Sequence, residues 1–130
     1  MSLTAYLIFS VGLFFVMVMV QAVATDIEHG ITHSVGARDG AVDKGVLLQR
    51  AKRANQNMIE GLVMFVPLAL LAIQSGQTGK MASVGAAMFF FGRLAYAPLY
   101  WFGVPWLRSG AWFLSIIGII LIFINLLPLI

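Results

Sequence analysis

Residues 3–24 form a run without a single charged side chain. At about 1.5 Å per residue a helix of that length crosses a hydrocarbon core of about 30 Å. A backbone in lipid must satisfy its own hydrogen bonds, so the run is read as a transmembrane helix. Ala22-Val23-Ala24 resembles a small-residue cleavage site. However, no Lys or Arg precedes Leu3 and the apolar stretch is long for a signal peptide, so the helix is expected to be retained. Three further segments follow the same logic, at residues 46–74, 80–100 and 109–127. Composition agrees: 61% of the 130 residues are hydrophobic and 10% are charged, against about 45–50% and 25% in soluble domains. The expected fold is an all-α integral membrane bundle of four transmembrane helices, one domain over residues 1–130.

The connections carry the punctuation. Residues 25–45 are polar and glycine-containing, with turn residues concentrated in Gly36-Ala37-Arg38-Asp39-Gly40. Residues 75–79 make a short turn, which makes the second and third helices antiparallel neighbours. Gly85, Ala86 and Ala87 are small enough for close helix contact, and Pro98 is expected to end or kink the third helix. Trp101 and Trp106, in a tight link, suit a membrane–water interface. The Phe89-Phe90-Phe91 run and the methionines are read as packing or lipid-facing residues. Loops 25–45 and 101–108 share one side and hold Arg38, Lys44 and Arg108, whereas the other side has Lys80. The excess of positive charge places those loops in the cytoplasm and both termini on the opposite side.

Within the second helix the charges are ordered. At about 100° per residue, Arg50, Arg53, Asn57 and Glu60 fall within roughly 80° of one another. Such a stripe is expensive against lipid and calls for a bundle interior or a wet cavity. A second stripe, Arg93, Tyr96 and Tyr100, has the same i, i+3, i+7 spacing as Arg53, Gln56 and Glu60. Arg108 opens the fourth helix on the same side. Guanidinium forks bind carboxylates in bidentate fashion, and a guanidinium beside a thiol raises its thiolate fraction. The chain has no cysteine, so any thiol belongs to a substrate.

Other classes fit poorly. The net charge of +3 comes from Lys and Arg in loops and helix ends, with no basic face for nucleic acid. His29 and His33 stand i, i+4 beside Glu28, but Gly30 and the lack of further ligands favour solvated loop residues, and no metal is expected. Four short spans with polar groups at one face leave little room for a transport path. Structural readings stand beside the chemical ones. Arg53, Asn57 and Glu60 can fix subunit register. Tyr96, Tyr100, Arg93 and Arg108 can anchor helix ends at the interface.

Residues 50–60, Arg-Ala-Lys-Arg-Ala-Asn-Gln-Asn-Met-Ile-Glu, fit the pattern R-x-x-R-A-x-x-N-x-x-E. With Gly36-Ala37-Arg38-Asp39, Arg93-x-x-Tyr96-x-x-x-Tyr100 and Gly103-Val104-x-x-x-Arg108, the chain resembles the membrane-associated proteins in eicosanoid and glutathione metabolism, the MAPEG family. The resemblance implies a homotrimer of four-helix subunits with glutathione as co-substrate, bound between neighbours near the cytoplasmic face. Arg53, Asn57 and Glu60 would bind glutathione, with Arg50 and Arg93 among the same set. Tyr96 and Tyr100 would line the site from the adjoining subunit, and Arg108 would stabilise the thiolate. The implied activity is that of a membrane glutathione transferase or peroxidase acting on a lipophilic electrophile or hydroperoxide. The rival is a non-catalytic scaffold or accessory subunit of a larger membrane complex. Gly61 stands where leukotriene-synthase-like members have a tyrosine, and the arginine those members place just after the first helix has no counterpart. The resemblance therefore leans toward the prokaryotic branch and a bacterial inner membrane.

Overall fold

The computed structural model describes residues 1–30, 36 and 45–130. His33, Arg38 and Lys44 lie outside the described residues. Among the described residues four helices make the fold: α1 (Leu3–His29), α2 (Val46–Ser75), α3 (Lys80–Trp101) and α4 (Pro105–Leu126), with a 3-10 turn at Leu127–Leu129. Each is long and apolar enough to cross a membrane.

Local chemistry sets the ends. The Ser2 hydroxyl accepts the Ala5 N–H at 3.2 Å and caps α1. At the other end Gly30, with φ 87°, leaves the helix while its N–H bonds the Asp26 carbonyl at 2.8 Å. Helix α1 therefore runs on past residue 24, and His29 occupies its last turn, where a solvated loop was expected. Gly45 precedes α2 and donates its N–H to the Glu28 carboxylate at 2.5 Å, tying the end of α1 to the start of α2. Gly76, at φ 77°, closes α2; its N–H and that of Gln77 take up the Ala72 and Ile73 carbonyls.

Two boundaries differ from the sequence expectation. Pro98 neither ends α3 nor starts a break, since the helix continues to Trp101. Helix α4 begins at Pro105, ahead of the expected residue 109. Proline at the first turn has no N–H to leave unsatisfied, so it initiates well there. Arg108 consequently sits inside the first turn of α4 with its side chain held by helix geometry.

Buried positions follow helical spacing on each element. In α1 they are Leu3, Tyr6, Ser10, Met17, Ala24 and Thr25, one narrow face against the rest. Helices α3 and α4 make the closest pair. A Cβ built on Gly85 would lie 2.7 Å from the Gly118 carbonyl oxygen, and one on Gly92 would lie 2.8 Å from the Ala111 oxygen. Backbone approaches backbone here, and dispersion replaces the hydrophobic drive that lipid removes. Phe65 of α2 stacks on Phe89 of α3 with ring centroids 4.1 Å apart. Asn125 of α4 donates to the Gln77 carbonyl at 2.8 Å and pins the turn between α2 and α3.

Candidate functional site

Two residues apart on a helix means roughly 160° apart in direction, and α2 uses this to serve two neighbours. Asn55 is buried toward α1, donating to the Gln21 side-chain oxygen at 2.6 Å and to the Met17 carbonyl at 3.3 Å. Asn57 faces α3, where its side-chain oxygen accepts from Arg93 Nη1 at 2.5 Å. Nothing in the periodicity singled out Asn55; its partner on α1 is a tertiary fact.

The polar stripe of α2 divides along its own midline. Taking Asn57 as the reference direction, Arg50 and Gly61 lie roughly 20–40° to one side, and Arg53 and Glu60 roughly 40–60° to the other. The first side turns inward. Arg50 is half-buried and its Nη1 donates to the Trp101 carbonyl at 3.3 Å, at the C-terminal end of α3. A cation at a helix C-terminus is favoured by the helix dipole. Gly103, at φ 72°, leaves room for this guanidinium: a Cβ there would meet Arg50 Nη2 at 2.7 Å. The second side faces outward. Arg53, Gln56 and Glu60 are exposed, and neither Arg53 nor Glu60 has an ion-pair partner among the described residues.

The stripe of α3 is drawn inward. Arg93 is 1% exposed and Tyr96 is 4% exposed. Arg93 Cζ lies 5.2 Å from the Tyr96 ring centroid and 5.7 Å from that of Phe89. The Tyr96 and Tyr100 rings are 5.5 Å apart. Arg108 reaches back from α4 so that its Cζ stands 4.6 Å from the Tyr100 centroid. Cation–π contacts of this kind are worth about 0.5–2 kcal/mol, more when desolvated.

These groups open onto a cleft of about 300 Å³ lined by Asn57, Tyr96, Tyr100, Arg108, Ser109 and Trp112. It lies where α2, α3 and α4 meet beside the connection between α3 and α4. Four expected site residues, Asn57, Tyr96, Tyr100 and Arg108, thus share one wall system. Arg50, Arg53, Glu60 and Arg93 are not among its lining residues. Ser109 and Trp112 line it and were not foreseen; Trp112 is one turn along α4 from Arg108, which was the available signal. Among the described residues the lining contains no acid and Arg108 has no carboxylate partner. Its N–H donors are therefore available to an anion, and the residues fit a small carboxylated thiol.

The family model for the MAPEG family matches residues 3–127. The chain belongs to the MAPEG family. No curated protein and no solved structure matches it. Membership accounts for the four apolar helices of this MAPEG protein, which is an integral membrane protein in contact with lipid. The family includes glutathione transferases, so the cleft of the MAPEG chain is to be read against that chemistry.

Proposed function

We propose that this MAPEG protein is a membrane-bound glutathione transferase, or a peroxidase of the same type, acting on lipophilic electrophiles or hydroperoxides. The observation that carries the reading is the convergence of Arg108, Tyr100, Tyr96 and Asn57 on one cleft, with no acid among its described lining residues. Glutathione, when bound, supplies a nucleophilic thiolate sulfur. Arg108 offers fixed N–H donors to that negative charge, and its position over Tyr100 restricts where they point. A free thiol titrates near 8.5, so a guanidinium at its side raises the thiolate fraction at neutral pH. Asn57, Tyr96 and Tyr100 orient the peptide, and Trp112 offers an apolar wall to a lipophilic partner.

Arg53 and Glu60 support a homotrimer. Exposed ionic groups on a membrane helix need cover, and a neighbouring subunit laid on that face of α2 brings them to the edge of a shared glutathione site. The positive charge of the connections favours a cytoplasmic position for loops 25–45 and 101–108, with both termini across the membrane. The departures at Gly61 and after α1 favour the prokaryotic branch and a bacterial inner membrane.

Glutathione binding by the purified protein in detergent, read by thermal shift and by thiolate absorbance against pH, tests the reading. The expected result is a saturable shift with thiolate forming at lower pH than in free glutathione. In Arg108→Ala that pH displacement should vanish and turnover fall by about 100-fold or more, with the oligomer intact. Unchanged turnover removes Arg108 from the chemistry. Intact oligomers that bind no glutathione favour the scaffold or accessory-subunit reading.

A further inference from the structure

Arg93 is the largest fully buried side chain among the described residues. It places a guanidinium in the interior of the helix bundle, and no carboxylate forms an ion pair with it among the described residues. Its contacts are the Asn57 side-chain oxygen, the rings of Tyr96 and Phe89, and the backbone of α2 at Gly61. A Cβ at position 61 would lie 2.7 Å from Nη2, 3.2 Å from Cζ and 3.3 Å from Nε of Arg93. The guanidinium fills the notch that a glycine leaves on α2.

Two of the groups it touches, Asn57 and Tyr96, line the cleft, whereas Arg93 does not. We infer that Arg93 is a positioning residue and that Gly61 is the notch that admits it. Together they hold the Asn57 carboxamide and the Tyr96 ring in register at the cleft wall without either touching the ligand. The carboxamide is oriented by this bond: its oxygen is committed to Arg93, so its NH₂ group is the end left to face the cleft. Asn57 thereby presents donors, which suits the carbonyls and carboxylates of an anionic peptide. Arg93 accordingly takes a supporting role in place of the direct ligand contact expected from the sequence. The consequence for binding rests on the glutathione reading above; the packing of the pair does not.

A double-mutant cycle on the full chain in detergent tests the inference, with Gly61→Ala, Arg93→Ala and the double variant. Glutathione affinity and the unfolding midpoint without glutathione are both measured. Gly61→Ala should weaken glutathione binding by about tenfold, within the coupling range of contacting residues. On the Arg93→Ala background the same substitution should be near neutral, because the added methyl enters space the guanidinium has left. At saturating glutathione, thiolate formation in Gly61→Ala should follow the wild-type pH profile, since Arg108 is untouched. Arg93→Lys keeps the charge without the planar fork and should bind glutathione as weakly as Arg93→Ala; it also replaces Arg93→Ala in the cycle if that variant does not fold. Additive effects on affinity, or Gly61→Ala with wild-type affinity, overturn the positioning role. If the wild type binds no glutathione, the functional reading fails. Coupling in the unfolding midpoint then upholds the packing of the pair, and its absence rejects that too.

Discussion

Gly118 and Gly61 are both buried helical glycines with no room for a methyl group, but they are crowded by different things. At Gly118 the obstruction is backbone: the Gly85 carbonyl and the Phe89 amide, the latter 2.7 Å from where a Cβ would sit. At Gly61 it is the far end of an arginine side chain. The first contact joins two helices that have nowhere to go. The second joins a helix to a group with four rotatable bonds, which can give way where backbone cannot, but loses its hydrogen bond and ring contacts when it does. One glycine therefore guards stability and the other guards geometry.

A graded series of glycine substitutions makes the comparison breakable. Gly118→Ala is expected to have the largest effect on stability, about 2–3 kcal/mol, in the upper part of the range for overpacking. Denaturant unfolding in detergent checks this, and an unmoved midpoint means that α3 and α4 can slide apart freely, which removes the distinction. Gly103→Ala comes next. Its φ of 72° adds about 1–2 kcal/mol of left-handed strain for a side chain, while the Arg50 guanidinium beside it can shift. The same unfolding measurement should place it between the other two. Gly61→Ala should lose about 1 kcal/mol of stability, the lower end of the overpacking range, alongside its effect on ligand affinity. A loss as large as that of Gly118→Ala would show Arg93 to be as immovable as backbone. At the bottom, Gly12→Ala is a control: it is exposed, helical and has nothing within 4 Å of its Cβ position. Its midpoint should rise by a few tenths to about 1 kcal/mol through helix propensity alone.

The parts of the fold set by solvent were legible in the sequence. Long uncharged runs report the helices because lipid accepts little else, and the four spans stand where the runs put them, with ends displaced by a few residues. Those displacements have local causes. Pro98 lies so near the end of α3 that its missing N–H interrupts little, and Pro105 starts α4 ahead of the charge at Arg108. The polar stripe was legible as well, as a set of residues on one side of α2. Its internal division was not, because a helical wheel gives directions without neighbours.

By itself, then, the sequence determined that this is a four-helix membrane protein with its polar side chains gathered toward one end. Tertiary structure decided which of them do what. It turned Arg50 onto the Trp101 carbonyl, buried Arg93 against Gly61, left Arg53 and Glu60 exposed, and set Arg108 over Tyr100 at the mouth of a cleft. The four spans follow from the transfer of residues out of water, which depends on composition along the chain. The partners follow from approaches of a few ångströms between distant segments, and only the packed bundle specifies those.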